Sequence, residues 1–164
     1  MKDMIIIGAG PAGLTAAIYA GRSGKSVLLF EGKSFGGQIS KSHKVENYPG
    51  FTDISGFEFS MNLKKQAEGF GAEIVSHKVK AVEEKNGFFT VIADKPYEAR
   101  AVIFALGAEP KKSGLSNEDA LVGRGLSYCA TCDGNFFRGR DVAVIGGGNT
   151  ALQDAVYLSD ICRK

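Results

Sequence analysis

The chain has 164 residues, of which 44% are hydrophobic and 23% are charged, a size that suits one domain or one and a fraction. Twenty basic and eighteen acidic residues give a net charge of +2, and neither sign is concentrated in a block. Binding to nucleic acid or to a membrane surface therefore has no electrostatic support, and no apolar run approaches the ~20 residues of a membrane-spanning helix.

The beginning of the chain predicts a strand, a helix and a second strand. Residues 4–7 form an apolar run, residues 12–22 are alanine-rich and end before Gly24, and residues 26–30 are apolar again. Such a βαβ unit has a right-handed crossover almost without exception. We therefore expect a parallel, doubly wound sheet.

The middle of the chain predicts a loop, one helix and a small meander. Residues 36–57 have little periodicity, which is typical of a ligand-facing loop, and residues 56–70 carry apolar positions at helical spacing. Apolar runs at 79–82, 88–92 and 101–106 are separated by turn residues. They predict an antiparallel meander that returns to the main sheet.

A second domain is expected to begin after a polar linker at residues 108–124. The apolar run at 142–145 predicts a strand, and a helix is predicted over 150–159. The sequence then ends at Lys164 without the next strand that a βαβ unit needs. We expect this second domain to be incomplete in the chain.

The first glycine motif, GAGPAG at residues 8–13, follows a predicted strand and opens a helix. Gly8 allows the tight turn, Gly10 lets a pyrophosphate approach the backbone, and Gly13 lets helix and strand pack closely. Glu31 lies 18 residues beyond Gly13, close to the ~20 expected of the acid that binds a ribose hydroxyl. The motif predicts a dinucleotide site for FAD or NAD, and a glycine turn without a ligand is the alternative.

Cysteine usage points to redox chemistry in the cytoplasm. The chain has three cysteines, too few for a secreted disulfide framework, and glycines interrupt the apolar start that could imitate a secretory signal. The C-x-x-C spacing of Cys129 and Cys132 lets the sulfurs form a disulfide reversibly. Asp133, the next residue, is suited to move a proton.

The alternatives for the cysteine pair are a zinc site and a structural disulfide. Besides the pair, the chain offers only Cys162, His43 and His77, none at zinc-finger spacing, so we expect no metal. Cytosolic disulfides are usually transient and catalytic, which favours redox use. Cys162 is interpreted as a small buried hydrophobic residue.

A second glycine motif, G-x-G-x-x-A, covers residues 146–151. It predicts a second dinucleotide site, and a glycine-rich strand end without a ligand is the alternative. Two such motifs with a C-x-x-C between them imply electron flow from a nicotinamide through a flavin to a disulfide. The candidate residues are Gly146, Gly148, Asn149, Thr150 and Ala151.

The chain resembles the low-molecular-weight thioredoxin reductases of the pyridine nucleotide-disulfide oxidoreductase family along its whole length. The matching segments are IIIGAGPAGLTAAIYAGRSG, GGQI, VENYPGF and GRGLSYCATCDGNFFRGRDVAVIGGGNTA. The resemblance implies a cytoplasmic, homodimeric enzyme in which NADPH reduces FAD, FAD reduces the Cys129–Cys132 disulfide, and the dithiol reduces thioredoxin. It further implies that Cys132 faces the flavin, that Cys129 attacks thioredoxin, and that Asp133 donates or accepts the proton.

The resemblance also implies a fold and a set of cofactor contacts. The fold is an α/β, Rossmann-like FAD-binding domain at residues 1–113, lacking its closing C-terminal segment, and the first βα unit of an NADPH-binding domain at 114–164. The implied FAD contacts are Gly8, Gly10, Pro11, Ala12, Gly13, Glu31, Gly32, Lys33, Gly36, Gly37, Gln38, Ile39, Asn47, Val79, Ala105, Leu106 and Gly107.

The sequence departs from the family pattern at a few positions. Leu106 stands where the family usually has threonine, and Asn149 and Thr150 replace aspartate and serine. Family members are about twice as long, so little or no turnover is expected of this chain. The preference for NADPH over NADH as the electron donor is implied by the resemblance alone. The alternatives are a related flavin reductase that uses ferredoxin or serves a peroxidase, and a nucleotide-binding fragment without turnover.

Overall fold

A computed structural model describes every residue from Met1 to Lys164. The chain divides into two compact units: residues 1–46 with 51–109, and residues 47–50 with 110–164. The first unit contains the whole sheet, and the second contains the cysteine pair.

The first unit begins with the predicted βαβ unit. Strand β1 (Lys2–Ile7) leads into helix α1 (Pro11–Arg22), which is followed by strand β2 (Val27–Phe30). The two strands are parallel, with Ile5 opposite Leu28. The turn after α1 uses Gly24 at a φ of 70°, a left-handed conformation that glycine adopts without steric cost.

Helix α2 (Gly56–Gly69) confirms the predicted amphipathic helix. Ser55 caps it by accepting a hydrogen bond from the Glu58 amide at 3.1 Å, which satisfies one of the unpaired donors of the first turn. The segment expected to be a loop before it also contains a short 3-10 turn, Gly37–Lys41, and an isolated bridge between Val45 and Ile54.

The remaining strands complete a mixed six-stranded sheet in the order β3-β2-β1-β6-β5-β4. They are β3 (Glu73–Val75), β4 (Ala81–Lys85), β5 (Phe88–Ile92) and β6 (Pro96–Phe104). β6 runs parallel to β1 and antiparallel to β5, and β4 is antiparallel to β5. This confirms the expected α/β fold with a meander that returns to the main sheet. The expectation of a doubly wound sheet is wrong for this chain, because α1 and α2 both pack on the same face.

One strand was not predicted, and the boundaries of β4 and β6 differ from the sequence prediction. β3 was not predicted, because a three-residue edge strand carries almost no periodic signal. β6 begins at Pro96 rather than near residue 101, and a proline is acceptable there because the first residue of a strand need not donate to the ladder.

Alternating residues of the central strands form two cores on opposite faces of the sheet. On one face Ile6 and Leu29 pack against Leu14 and Ala17 of α1 and Ala67 of α2. On the other face a second apolar cluster contains Ile5, Ile7, Leu28, Phe30, Val91, Ala93 and Ala99. Because both faces are covered, β1 and β2 are nearly continuous apolar runs.

The second unit is made of short helices: α3 (Glu118–Leu121), α4 (Ala130–Asp133), the 3-10 turn Gly134–Phe137 and α5 (Asn149–Ser159). α5 confirms the helix predicted over 150–159, and α3 lies within the segment predicted to be a linker. The strand predicted at 142–145 is wrong, since these residues pair with no other strand. A strand needs a hydrogen-bonded neighbour, and Val142 donates instead to the carbonyl of Lys164 at 2.8 Å.

Helices long and apolar enough to cross a membrane are absent from the structure.

Candidate active site

A cavity of about 660 Å³ lies at the carboxyl ends of β1, β2 and β6 in the first unit. The last residue of each of these strands, Ile7, Phe30 and Phe104, contributes to its wall. Ligands of open α/β sheets bind at this edge, and the volume falls within the ~300–1,000 Å³ of small-molecule sites.

The glycines of the first motif have two distinct structural roles. Gly8 has a φ of 108°, and a Cβ on it would lie 2.3 Å from the carbonyl oxygen of Ala105. A Cβ on Gly13 would lie 1.9 Å from the carbonyl oxygen of Gly8. These two glycines allow close backbone packing, whereas a Cβ on Gly10 would meet only the Cα of Gly37 at 4.0 Å. Gly10 therefore leaves open space beside the cavity.

The amino end of α1 provides an anion-binding surface. Gly10 caps the helix without any side-chain hydrogen bond, Pro11 occupies its first turn, and no acidic residue lies in that turn. Gly10, Pro11 and Ala12 line the cavity. Since the amides of a first helical turn lack intrahelical partners and lie at the positive end of the helix dipole, they favour a phosphate group there.

Glu31 connects two segments that flank the cavity, the glycine turn after β1 and the segment after β2. Glu31 is only 9% exposed. One oxygen accepts a hydrogen bond from the Ala9 amide at 2.9 Å, and the other accepts one from the Lys33 amide at 2.8 Å. A carboxylate has about four acceptor positions, so Glu31 retains capacity for a ligand hydroxyl.

Most of the predicted cofactor contacts of the first unit line this cavity. They are Gly8, Gly10, Pro11, Ala12, Glu31, Gly32, Lys33, Gly37, Gln38, Ile39, Val79, Ala105, Leu106 and Gly107. Gly13 and Gly36 are not among the lining residues; a Cβ on Gly36 would lie 2.3 Å from the Ser60 hydroxyl of α2. Asn47 belongs to the second unit.

Sequence reasoning did not find a set of polar residues with long side chains around the cavity: Lys41, His77, Lys78 and Glu109. Glu109 accepts a hydrogen bond from the Lys33 ammonium, and the Gln38 amide donates to the Ala108 carbonyl at 3.1 Å. No motif marks these residues, because they reach the cavity from loops that only the folded sheet brings together.

In the second unit, Cys129 and Cys132 form a disulfide with their Cα atoms 5.3 Å apart. Cys129 immediately precedes α4 and is half-buried, whereas Cys132 lies within the helix and is exposed. The Thr131 hydroxyl lies 3.5 Å from the Cys129 sulfur. Cys162 is a free, half-buried thiol whose sulfur lies 3.5 Å from the Phe137 carbonyl oxygen.

Asp133 contacts the hydroxyl of Ser127, a residue that sequence reasoning missed. The Ser127 Oγ lies 2.6 Å from the Asp133 Oδ2 and accepts a hydrogen bond from the Cys129 amide at 3.0 Å. The Asp133 amide donates to the Cys129 carbonyl at 3.1 Å. These bonds tie the carboxylate to the backbone of the cysteine segment.

A buried carboxylate holds the segment before Cys129. Glu118 is 5% exposed and accepts hydrogen bonds from the Ser113 amide at 2.9 Å, the Gly114 amide at 3.0 Å and the Tyr128 hydroxyl. The Tyr128 hydrogen bond, followed by those from the two amides, lowers the pKa of Glu118 to about 2. The same hydrogen bond to Glu118 raises the pKa of Tyr128 to about 12.

The second glycine motif lies on the surface of the second unit. Gly146 has a φ of 142°, and Gly148 caps α5 without a side-chain hydrogen bond. Asn149, Thr150 and Ala151 form the first turn of α5. The geometry is that of a glycine turn that opens a helix.

The structure contains no group of three or more His, Cys, Asp or Glu residues arranged to hold a metal ion.

Comparison with known protein families shows to which family the chain belongs. The sequence profile described as pyridine nucleotide-disulphide oxidoreductase matches residues 2–164. The chain belongs to this family.

Family relatives with known names include several thioredoxin reductases. The thioredoxin reductase of Bacillus subtilis is 48% identical over 163 residues, which cover 99% of this chain and 52% of the relative. The crystal structure of thioredoxin reductase from Streptococcus pyogenes has a TM-score of 0.95 and 43% identity, covering 100% of this chain and 54% of that one. The resemblance inferred from the sequence motifs is thereby confirmed.

The chain is also similar to the structure of a reductase whose name includes ferredoxin. The ferredoxin-flavin thioredoxin reductase from Clostridium acetobutylicum has a TM-score of 0.60 and 35% identity, covering 99% of this chain and 57% of that one. The chain spans about half the length of the relatives it matches.

Proposed function

We propose that this chain forms the flavin-binding and disulfide-bearing part of a thioredoxin-disulfide reductase. Electrons would pass from NADPH through FAD to the Cys129–Cys132 disulfide and then to thioredoxin. The observation that carries the proposal is the presence, in one chain, of a glycine-lined cavity at an uncapped helix end and a C-x-x-C disulfide next to an acid.

The cavity of the first unit fits a dinucleotide such as FAD. The space beside Gly10 admits a pyrophosphate, which the amides at the start of α1 would hold. Glu31 would accept a hydrogen bond from a ribose hydroxyl with its remaining acceptor positions. When bound, FAD would accept a hydride from the nicotinamide and pass two electrons on to a disulfide.

The cysteine pair accounts for transfer to the protein substrate. Two electrons and two protons open the Cys129–Cys132 bond to two thiols. The Cys129 thiolate then attacks the disulfide of thioredoxin and forms a mixed disulfide, which the Cys132 thiolate breaks, so that thioredoxin leaves with two thiols and the bond re-forms. Asp133 holds or moves the proton at the cysteine sulfur.

The remaining assignments follow from the same proposal. Residues 1–113 form the FAD-binding domain, and residues 114–164 begin the NADPH-binding domain with Gly146, Gly148, Asn149, Thr150 and Ala151 at its nucleotide site. A C-x-x-C disulfide that opens and closes in catalysis suits the reducing cytoplasm.

We also propose that the active form is a homodimer. Ile145, Leu152 and Val156 are 72%, 60% and 68% exposed, and such large exposed apolar side chains support association. Light scattering over a range of protein concentrations tests this, and a strictly monomeric mass would contradict it.

Flavin binding to the chain is the first test. The chain is titrated with FAD while flavin fluorescence and the visible spectrum are recorded, and we expect saturable binding. Photochemical reduction of the bound flavin without oxygen should then open the disulfide, so that alkylation labels Cys129 and Cys132. Absence of saturable binding, or a bound flavin that leaves both cysteines unlabelled, would count against the proposal.

The electron donor is tested on the same flavin-loaded chain. NADPH and reduced ferredoxin are added separately without oxygen, and loss of the oxidised flavin band is followed. The similarity to a ferredoxin-flavin thioredoxin reductase makes ferredoxin the second candidate. Loss of the flavin band on addition of NADPH would support NADPH as the donor, and loss only on addition of reduced ferredoxin would contradict it.

A further inference from the structure

Ser127 has a single hydroxyl that contacts three groups around the disulfide. Its Oγ accepts a hydrogen bond from the Cys129 amide at 3.0 Å, and it lies 2.6 Å from the Asp133 Oδ2 and 3.2 Å from the Cys129 carbonyl oxygen. A serine hydroxyl has one proton, so it donates to only one of the two oxygens at a time. The shorter distance favours donation to Asp133 while that carboxylate is ionised.

The same atoms also form a complete set of hydrogen bonds when Asp133 is protonated. The carboxyl O–H then donates to the Ser127 Oγ, and the Ser127 proton turns to the Cys129 carbonyl oxygen. Both lone pairs of the Oγ are used, one by the Cys129 amide and one by the acid. Asp133 and the Ser127 hydroxyl therefore stay hydrogen-bonded to each other in both states, and the Cys129 carbonyl keeps its bond from the Asp133 amide when the serine proton turns away.

We propose that Ser127 is a positioning residue for Asp133, which it holds beside the cysteine pair in both protonation states. The inference rests on the proposed redox function of Cys129 and Cys132. When a nucleophile attacks one sulfur, the bond between the sulfurs breaks and the other sulfur leaves with the electron pair. Asp133 gives that sulfur its proton, and Ser127 keeps the acid in place.

Few other titratable groups lie on the elements that pack against α4. These elements are the 3-10 turn Gly134–Phe137 and α5, and their titratable side chains are Asp154 and Tyr157. The free Cys162 thiol also lies 3.5 Å from the Phe137 carbonyl oxygen of that turn. Tyr128, which precedes Cys129, is bonded to Glu118. None of these groups changes in the variants below, so they contribute equally to each pH profile.

The test uses reduction of the chain's own disulfide by a water-soluble trialkylphosphine, which needs no flavin, nicotinamide or thioredoxin. The phosphorus attacks one sulfur, the other leaves and takes a proton, and water then releases the second thiol and the phosphine oxide. Rates are measured from about pH 3 to 8, a range that spans ordinary carboxyl titration. Each rate is divided by that for oxidised glutathione, which cancels protonation of the phosphine.

The variants separate the hydroxyl from side-chain shape. Valine and threonine have the same shape, but of Ser127→Val and Ser127→Thr only the threonine variant keeps the hydroxyl. Asp133→Asn removes the acid. Ser159→Ala is the control, because it removes a serine hydroxyl elsewhere in the unit that is bonded only to the Val156 carbonyl. We expect the valine variant to lose about tenfold in relative rate where the acid acts, since general acids contribute about 10²–10⁴-fold. It should also lose the pH dependence, as Asp133→Asn does, while the threonine and Ser159 variants keep both.

Three results would overturn the inference. They are a wild-type pH profile in Ser127→Val, equal profiles in the valine and threonine variants, and a pH profile that Asp133→Asn leaves unchanged. If circular dichroism shows that Ser127→Val is unfolded, Ser127→Ala is compared with wild type by the same criteria. Because no cofactor takes part, these outcomes are independent of the flavin titration that tests the proposed function.

Discussion

The carboxylate of Glu31 accepts a hydrogen bond of 2.9 Å from the buried amide of Ala9, and its second oxygen accepts one of 2.8 Å from the amide of Lys33. The acid that the sequence predicts for ribose binding therefore also holds the glycine turn and the segment after β2 together. Its structural and binding roles can be separated by experiment.

We expect Glu31→Gln to lower the free energy of unfolding of the first unit by about 2 kcal/mol, because an amide side chain presents only one acceptor oxygen to two buried or half-buried N–H groups. Denaturant unfolding followed by circular dichroism measures this. Glu84→Gln, at an exposed position of β4, is the matched control and should change stability by less than about 0.5 kcal/mol. Equal stability of both variants would show that Glu31 does not support the turn.

Gly10 and Gly13 should respond differently to alanine. A Cβ on Gly13 meets the Gly8 carbonyl oxygen at 1.9 Å, whereas one on Gly10 finds only the Gly37 Cα at 4.0 Å. Gly13→Ala should therefore cost about 1–3 kcal/mol of stability through overpacking. Gly10→Ala should keep the fold and weaken FAD binding by about tenfold or more, equivalent to ~1.4 kcal/mol, because its methyl group occupies the space left for a pyrophosphate.

Thermal unfolding and flavin titration of both variants check these expectations. If Gly10→Ala binds FAD as tightly as the wild type, the pyrophosphate does not approach this glycine. A fully stable Gly13→Ala protein would mean that α1 shifts without cost.

Thiol labelling in denaturant should report the state of the cysteine pair. The oxidised chain should take up iodoacetamide only at Cys162, its one free cysteine, and the reduced chain should take it up at all three cysteines. Cys132→Ser should leave Cys129 open to labelling without a reductant, since its disulfide partner is gone. Mass spectrometry gives the label count, and labelling of all cysteines in the unreduced chain would contradict the disulfide.

The hydrogen bond between Glu118 and Tyr128 should make the stability of the second unit depend on pH at both extremes. The pKa of Glu118 is lowered from 4.5 to about 2, so its stabilising effect is full above pH 4.5 and is lost as the pH falls towards 2. The pKa of Tyr128 is raised from 10.0 to about 12, so its effect is full below pH 10 and is lost as the pH rises through 12.

Thermal unfolding at several pH values tests this with Tyr128→Phe. The variant should lose the alkaline dependence that this bond causes, but it should keep part of the acid dependence, because the Ser113 and Gly114 amides still bind Glu118. An unchanged alkaline profile in the variant would show that the bond does not stabilise the unit.

The sequence by itself determined the βαβ start, the helix α2, the returning meander and the likeness to thioredoxin reductases. Each rests on local patterns: apolar periodicity, glycine spacing and the Cys129–Cys132 separation, which neighbouring residues in the chain impose on one another. The steric need for glycine at Gly13 follows from the same local turn, because its Cβ would meet the Gly8 carbonyl oxygen, whereas the close contact at Gly8 is with Ala105 and depends on the pairing of β6 with β1.

Only the tertiary structure decided which other groups surround these motifs. His77 and Lys78 reach the cavity because β3 pairs with β2, and the residues at 142–145 pair with no strand although their own pattern is apolar. Ser127 and Glu118 gain their roles from hydrogen bonds to Asp133 and Tyr128. Strand pairing and side-chain hydrogen bonding depend on partners that folding supplies, and a pattern read along one segment does not contain them.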